Sequence, residues 1–381
     1  MRSRSRIHEL DGLRALAIIA VMLWHFFPNF HMALGWAGVD LFFVLSGFLI
    51  TGILLDLRAD PTPYRKFYWR RLIRIFPPYY AALAIIATLA FSQHDIGSRS
   101  QWLGVLFFLP AIRTGCSFRL IFHRLVGHAG FDFSHVQFSL APTFSRFIDG
   151  LGIYWSVAVE ELFYLFWAPL ILKCSRRAIL VFAIAPIFLC PVLRGLNHTH
   201  DYFEYFGFIP RLDTLALGGC LALLLRAKPN ISRWVLLAPI LPVVLGLGWL
   251  CVHCGLLRGV EVRSTELFSV VGYTLLALLF GCVVATCVRC EGHPLLTPLR
   301  LKPLIYIGTI SYTMYLTHAE IYVIASRVCR GELIRGLASM LATVAVAGVS
   351  WKYFESPILR LRNWPERVRR SSGESQVAQA G

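Results

Sequence analysis

Ten long apolar runs alternate with short polar segments along this chain. They cover residues 10–30, 36–56, 73–91, 152–172, 178–194, 208–225, 232–252, 266–288, 303–325 and 334–353. A helix needs about 20 mostly apolar residues to cross a bilayer, and each run is near that length. A further run, Trp102 to Ile112, is too short to cross. The pattern predicts an all-α polytopic membrane protein with about ten transmembrane helices plus a re-entrant segment near 102–112.

The composition agrees with a membrane protein. Of 381 residues, 57% are hydrophobic and only 15% are charged, whereas soluble domains are about 25% charged. A net charge of +16 could indicate nucleic acid, but the basic residues cluster in short segments between the apolar runs. We therefore predict contact with membrane lipid and no nucleic-acid partner. The Cys-x-x-Cys pairs at 251–254 and 287–290 fall at opposite predicted membrane faces, so no metal site is predicted.

The basic segments set the predicted topology. Residues 1–6 hold three Arg, and residues 58–74 hold six Lys or Arg. Cytoplasmic loops carry an excess of Lys and Arg, and all later basic clusters obey this rule if 102–112 does not cross. We predict a multi-pass membrane protein with both termini in the cytoplasm and a long external segment at about 92–150. Residues 1–360 would form one membrane domain, and 361–381 a basic, disordered cytoplasmic tail.

Two ionisable residues share one face of the first apolar run. Arg14 and His25 are eleven positions apart, and eleven helical steps of about 100° return to within roughly 20° of the start. The two side chains would then lie about 16 Å apart along the helix, about half the depth of a bilayer core. Ionisable groups inside hydrocarbon are costly and usually functional. The pair predicts a polar track from the cytoplasmic surface toward the middle of the membrane.

The run at 152–172 carries a polar stripe. Ser156, Glu160 and Tyr164 are spaced at i, i+4 and i+8, so they lie on one helical face. The adjacent Glu161 is expected to point elsewhere.

Further polar residues fall in the predicted outer half of the membrane. Asp40 opens the second run near the depth of His25, and Ser311, Tyr315 and His318 share one face of the ninth run. The residues expected to converge there are His25, Asp40, Glu160 and His318.

A second polar group gathers at the predicted cytoplasmic side. Arg71 and Arg74, with Arg70 beside them, present guanidinium forks suited to phosphate or pyrophosphate. Pro77-Pro78 removes two backbone donors and is expected to break or kink the helix as it enters the bilayer. Glu355 lies at the same membrane side.

Each of these residues also has a plainer interpretation. Arg71 and Arg74 could be topology anchors, His25 could make one interhelical hydrogen bond, and the aromatic residues could simply pack. Such readings do not explain an outer His/Asp/Glu cluster joined by Arg14 to an inner Arg cluster. The combination indicates an anionic cytoplasmic donor and an external acceptor.

Seven short motifs succeed one another in order over residues 9–360. They are Leu10 to Ala17 with His25, Gly38 to Gly47, Phe67 to Pro77, Tyr154 to Tyr164, Arg211 to Gly218, Ile310 to His318, and Phe354 to Pro357. The ordered set resembles the acyltransferase-3 family of integral-membrane O-acyltransferases. The resemblance is to the stand-alone form, without the C-terminal hydrolase-like domain of some relatives.

The resemblance implies a location in the bacterial cytoplasmic (inner) membrane and about ten helices. It also implies acyl-CoA, typically acetyl-CoA, as the donor substrate. The acceptor would be a hydroxyl of a surface or secreted carbohydrate (polysaccharide, lipopolysaccharide or glycolipid), free or lipid-linked. It also implies that Arg14 with His25 is the catalytic signature and Arg71 with Arg74 the second arginine motif. The candidate residues are therefore catalytic His25, Arg14, Asp40 and Glu160; donor-binding Arg70, Arg71 and Arg74; and substrate-binding Tyr164, Arg211, Asp213, Ser311, Tyr315, His318 and Glu355.

The predicted mechanism docks acyl-CoA phosphates on the inner arginines and passes the pantetheine arm by Arg14 toward His25. His25 would act as general base or carry the acyl group, with Asp40 or Glu160 orienting the imidazole. Two alternatives stay open. The chain could be a secondary transporter or flippase for a glycolipid, or a relay that passes the acyl group to a separate periplasmic transferase. The oligomeric state is not predicted.

Overall fold

The computed structural model describes residues 6–28, 34–92, 102, 105–107, 147–196, 201–228, 230–256 and 265–363. Within these ranges the chain forms ten long helices joined by short helical turns, and no strand. The helices are α1 (His8–Phe26), α2 (Gly38–Leu57), α3 (Pro63–Ser92), α4 (Trp155–Lys173), α5 (Arg176–Leu196), α6 (Leu212–Ala227), α7 (Ile240–His253), α8 (Tyr273–Arg289), α9 (Lys302–Val328) and α10 (Glu332–Ser350).

Every predicted apolar run coincides with one of these helices. Seven of them, joined to their adjoining helical turns, are long and apolar enough to cross a membrane within the described part of the chain. The other three, α1, α6 and α9, carry buried charged residues, among them Glu9, Asp213 and Glu320. The predicted all-α polytopic membrane fold is confirmed. Charged and other polar residues within these three helices keep them outside that composition limit.

Close backbone contacts hold the centre of the bundle together. A Cβ atom at Gly47 of α2 would lie 1.9 Å from the carbonyl oxygen of Leu215, and one at Gly218 of α6 would lie 2.1 Å from that of Val44. A Cβ atom at Gly308 of α9 would meet the carbonyl oxygen of Asp11 of α1 at 1.9 Å. Small residues allow such approach where lipid gives helices little hydrophobic reason to associate.

The outer helices turn apolar side chains toward lipid. In the most apolar stretch of each of α5, α7 and α10, only 22% of the residues are buried within the protein. Large exposed side chains include Phe182 and Phe188 of α5, Leu241 and Leu245 of α7, and Leu341 of α10. An exposed apolar surface of this kind is expected where the surroundings are hydrocarbon.

Helix α3 differs from its prediction. It begins at Pro63 rather than at 73, and it continues through Pro77 and Pro78 without ending, so the expected break is absent. In that turn the hydroxyl of Tyr312 donates to the carbonyl of Ile75 over 3.2 Å. Neighbouring polar side chains of this kind allow proline inside membrane helices. The basic residues before the prolines therefore sit on one continuous helix.

Two predicted segments fall largely outside the described residues. Of the re-entrant piece at 102–112, the structure describes only Trp102 and residues 105–107. Of the predicted tail at 361–381, residues 361–363 belong to a short 3₁₀ helix, Arg360–Asn363, and the remainder lies beyond the described part.

Candidate active site

An arginine-lined cavity of about 1030 Å³ opens where α1 and α3 begin. We call it the arginine cavity. Its only acidic lining residue within the described ranges is Asp11, which accepts a 2.7 Å hydrogen bond from Nε of Arg6. The arginines of its lining are Arg6, Arg14, Arg70, Arg71, Arg74, Arg360 and Arg362. Such an excess of positive charge suits a ligand with several negative charges, because guanidinium groups pair with phosphate in a bidentate way.

A second cavity of about 240 Å³, called here the inner cavity, continues from the first. The two share Arg14, Arg71 and Arg74 in their walls. The inner cavity is mostly apolar, with walls from α2 that include Phe42, Phe43 and Ile50. Its polar lining also includes Ser46, Ser156, Glu160, Glu161, Tyr164, Ser311, Tyr312 and Tyr315.

The predicted stripe on α4 faces this inner cavity. Glu160 accepts a 2.9 Å hydrogen bond from Ser46 and a 2.8 Å hydrogen bond from Tyr164. The guanidinium carbon of Arg71 lies 5.6 Å from the ring centroid of Tyr164. Glu160 therefore lies beside the arginines rather than beside His25, the position that the sequence predicts for it.

The position of Glu161 also differs from its prediction. The helical repeat predicts that it points elsewhere, yet it lines the inner cavity, and its Oε1 atom is buried without a hydrogen-bond partner among the described residues. Adjacent residues on a helix are separated by only about 100°, and the cavity is wide enough to meet both carboxyl groups. Tyr312, which is not among the predicted site residues, also lines this cavity.

His25 and His318 contact each other across α1 and α9. Nδ1 of His25 lies 3.0 Å from the carbonyl oxygen of Val21 and 3.2 Å from Nε2 of His318. Nδ1 of His318 lies 2.7 Å from the carbonyl oxygen of Tyr315. Because a carbonyl can only accept, both neutral rings carry their proton on Nδ1. The unprotonated nitrogen of His25 is then Nε2, and Nε2 of His318 accepts a hydrogen bond from Nδ1–H of His25.

The histidine pair lies next to the inner cavity without lining it. The ring of Tyr315, which does line the cavity, is 5.6 Å from that of His318, and His318 is 4.9 Å from His25. Ser156 donates to the Tyr315 hydroxyl over 2.7 Å, and that hydroxyl donates to the Ile153 carbonyl over 3.0 Å. The sequence predicts an open polar path to His25. In the structure the ring of Tyr315 instead separates the inner cavity from the two imidazoles.

Asp40 is placed differently from its prediction. Its carboxylate accepts from Arg211 of the turn before α6, and both side chains are fully buried. The guanidinium carbon of Arg211 also lies 4.2 Å from the ring centroid of Tyr273. The sequence expects Asp40 beside His25, but the approach of α2 to α6 instead gives it an arginine partner.

Asp213 belongs to the same buried network. It accepts hydrogen bonds from Arg194 over 2.9 Å and from Thr274 over 2.7 Å, and neither Asp213 nor Arg194 is exposed. The network ties α2, α5, α6 and α8 together. Since Arg211 and Asp213 are closed off and line neither cavity, the geometry gives them a role in packing and lends no support to the predicted contact with substrate.

The last predicted residues lie near the arginines. Glu355 accepts from Thr313 over 2.7 Å and from Ser350 over 3.1 Å. It ends a π-helical turn, Trp351–Glu355, and such turns are frequent at functional sites. Ser311 lines the inner cavity and donates to the Gly308 carbonyl over 2.9 Å.

Three arginines of the cavity are not among the predicted site residues. Arg6, Arg360 and Arg362 come from the two ends of the described chain and meet the residues of α3 in space. Along the sequence they look like topology signals, so only the packing of α1 against the last turns of the chain identifies them.

Similarity to known proteins extends over nearly the whole chain. A family model described as an acyltransferase domain matches residues 7–352. The chain is 28% identical to the peptidoglycan O-acetyltransferase OatA of Listeria monocytogenes, over 93% of this chain and 56% of that protein. It is 29% identical to the putative peptidoglycan O-acetyltransferase YrhL of Bacillus subtilis, over 92% and 55%. It is 26% identical to the O-acetyltransferase OatA of Staphylococcus aureus, over 94% and 58%.

The chain thus spans a little over half the length of these curated relatives. No solved structure gives a significant match. The family model covers most of the chain, including α1 with its Arg14 and His25, the arginines of α3 and the whole of α9. The chain therefore belongs to the acyltransferase-3 family.

Proposed function

We propose that this protein transfers an acetyl or other short acyl group from acyl-CoA to a hydroxyl of a cell-envelope carbohydrate. The observation that carries the proposal is the junction of the two cavities at Arg14, Arg71 and Arg74. CoA has a polyanionic nucleotide end and a long, uncharged pantetheine arm. The arginine cavity suits the first and the inner cavity suits the second.

The donor would enter from the cytoplasm. The arginine end of the bundle is where α1 and α3 begin and α2 ends, and it concentrates basic residues as cytoplasmic faces do. This orientation puts both termini in the cytoplasm. It also sends the acyl end of the donor along the inner cavity, past Glu160 and Tyr164, toward Tyr315.

His25 would act as general base. Its Nε2 takes the proton of the acceptor hydroxyl as the hydroxyl oxygen attacks the thioester carbonyl, and the proton then passes to the departing CoA thiolate. The imidazolium formed in between keeps its Nδ1–H directed at Val21 and at Nε2 of His318. His318 thereby performs the orienting role that the sequence assigns to a carboxylate. A swing of the Tyr315 ring would open the way between the inner cavity and His25.

The acceptor class is supported by the relatives. Two of them are named as peptidoglycan O-acetyltransferases, one of these as putative. The first acceptor to test is therefore a hydroxyl of a cell-wall glycan. The glycan would reach the site from the membrane face opposite the arginines. Other envelope carbohydrates, free or lipid-linked, fit the same chemistry.

The decisive experiment uses purified protein in proteoliposomes with [¹⁴C]acetyl-CoA inside and a soluble glycan acceptor outside. Wild type should yield labelled glycan ester. His25→Ala should abolish labelling while keeping CoA binding, and the matched control His253→Ala, at the exposed end of α7, should behave as wild type. Full turnover by His25→Ala would refute the assignment.

The same assay separates the alternatives. With a labelled glycolipid added to the vesicle membrane, its movement between the two leaflets without any ester product would favour the transporter. Labelled protein without labelled glycan would favour the relay to a separate transferase.

A further inference from the structure

A third cavity, an apolar groove of about 870 Å³, runs along the lipid-facing side of the bundle. It lies between α5, α6 and α8, with the short helix Arg233–Leu237 along one edge. It shares no lining residue with the arginine cavity or the inner cavity among the described residues. Its apolar walls include Ile184 and Ile187 of α5, Leu217 and Leu221 of α6, and Leu278 of α8.

One end of this groove is cationic. Arg58 follows α2, Arg176 begins α5 and Arg226 lies in the last turn of α6, and all three line the groove. Within the described part of the chain, these side chains are the charged residues of the lining. A groove with apolar walls and three guanidinium groups at one end is complementary to an amphiphile with an anionic head.

Two of the arginines are held in place by the protein. Arg226 donates to the Gly52 carbonyl over 2.7 Å and lies 2.8 Å from Asp56. Arg58 donates to the Cys174 carbonyl over 2.7 Å. These bonds fix the ends of α2, α4 and α6 at one level. Arg176 is exposed beside them.

The length of the groove matches one leaflet. From Arg176 to Ile187 along α5 is eleven residues, or about 16 Å at 1.5 Å per residue. From Leu217 to Ala227 along α6 is about 15 Å by the same measure. Half of a bilayer core is also about 15 Å. The groove therefore accommodates an acyl chain of one leaflet, with its cationic end at the level of the head groups.

We propose that this groove is a binding site for an anionic phospholipid of the leaflet at the arginine end of the bundle. The phosphodiester would lie among Arg58, Arg176 and Arg226, and an acyl chain would lie along α5 and α6. Basic pockets between transmembrane helices commonly take phosphate head groups in this way. The bound lipid would brace α5 against α6 and α8, the three helices that Arg194, Asp213 and Thr274 also join.

Native mass spectrometry of the full chain in detergent tests the proposal. Dioleoyl-phosphatidylglycerol and the zwitterionic dioleoyl-phosphatidylcholine are titrated separately. We expect one tightly held phosphatidylglycerol, bound at least about tenfold more tightly than phosphatidylcholine, since each guanidinium near the phosphate adds affinity. Equal retention of the two lipids by wild type would overturn the proposal.

Arg176→Gln and Arg177→Gln form a matched pair, because the neighbours are both exposed and only Arg176 lines the groove. Arg176→Gln should weaken phosphatidylglycerol binding about fivefold, and Arg177→Gln by less than about twofold. Equal losses from both variants would count against the site.

Cys282→Trp fills the groove from α8 and should exclude both lipids, with the thermal midpoint checking that the variant folds. Unchanged phosphatidylglycerol binding in a folded Cys282→Trp protein would overturn the proposed location. Displacement of phosphatidylglycerol by a lower concentration of polyprenyl phosphate would overturn the proposed occupant and identify a lipid-carrier site.

Discussion

Nδ1 of His25 and Nε2 of His318 lie 3.2 Å apart across the contact of α1 with α9. The carbonyls of Val21 and Tyr315 fix the protonation of both rings, so His318 presents an acceptor to His25. A base needs its second nitrogen held by a hydrogen-bond partner if it is to take a proton in one orientation. Here that partner is an imidazole.

Replacing His318 should therefore affect turnover more than donor binding. His318→Leu removes the acceptor and should lower kcat about 10- to 100-fold, with the KM for acetyl-CoA nearly unchanged. His318→Gln keeps an oxygen acceptor and should recover part of the rate. Steady-state kinetics of both variants provide the check. Equal rates in the two, or a loss confined to KM, would contradict the positioning role.

The arginines shared by the two cavities should govern donor affinity. Arg71→Gln or Arg74→Gln removes a charge-assisted contact and should weaken CoA binding about 10- to 100-fold. Arg65→Gln is the matched control, because Arg65 lies on the same helix, is exposed and lines neither cavity. It should stay within about twofold of wild type. Calorimetric titration with CoA measures all three, and equal losses would refute the assignment.

The arginines near the end of the described chain should recognise the phosphates farthest from the thioester. Arg360 and Arg362 are exposed and line the arginine cavity but not the inner cavity. The double variant Arg360→Gln/Arg362→Gln should bind CoA about tenfold more weakly. It should bind dephospho-CoA, which lacks the 3′-phosphate, much as wild type does. Equal weakening for both ligands would mean that these side chains do not distinguish that phosphate.

The sequence predicts the helices and the arginine cluster well because both depend on local patterns. Apolar run length locates the ten helices, and helical spacing groups Arg71 with Arg74. The pairing of side chains from different helices does not follow from such local patterns. Asp40 pairs with Arg211 because Gly47 and Gly218 bring α2 and α6 into backbone contact, and nothing in either segment alone specifies that pairing.

The placement of single side chains also depends on details that a helical repeat does not contain. Glu161 faces the inner cavity together with Glu160, because the cavity is wide enough to contact two adjacent side chains of α4. Glu355 reaches Thr313 from a π-helical turn, which adds a residue to the helical repeat and rotates the residues after it. The chain's ordered motifs indicate the family, and the family model confirms it.

A loop carboxylate offers a test by pH. Burial of Asp60 opposes its ionisation, but hydrogen bonds from Lys66, at 2.6 Å, and from the Thr62 amide, at 2.9 Å, outweigh burial and lower the pKa of the carboxyl. A lowered pKa in the folded state stabilises the fold above the unfolded value of 3.8 and loses that effect as the pH falls through the folded value. Asp60→Asn should cost at most about 1 kcal/mol at pH 6 and less at pH 3, because part of the effect is lost once the pH is below 3.8. Thermal melts of wild type and variant at both pH values measure the difference, and a gap as large at pH 3 as at pH 6 would contradict the prediction.

The buried pair of Asp40 and Arg211 should matter for folding rather than for turnover. Removing one partner leaves an uncompensated charge in a site with no exposure, so Asp40→Ala or Arg211→Ala should each lower the free energy of unfolding by about 3–5 kcal/mol. Removing both charges avoids that penalty, and the double variant Asp40→Leu/Arg211→Met should regain most of the loss.

The control is a pair at the surface. Asp56 and Arg226 lie 2.8 Å apart with side chains 57% and 25% exposed, and breaking this pair with Asp56→Asn should cost at most about 1 kcal/mol. Denaturant unfolding in detergent compares all four variants, and acyl transfer is measured on those that fold. If Asp40→Leu/Arg211→Met is as unstable as the single variants, the network is not held by charge pairing. If it is stable but inactive while CoA binding is intact, Asp40 or Arg211 acts in the reaction after all, as the sequence predicts for each.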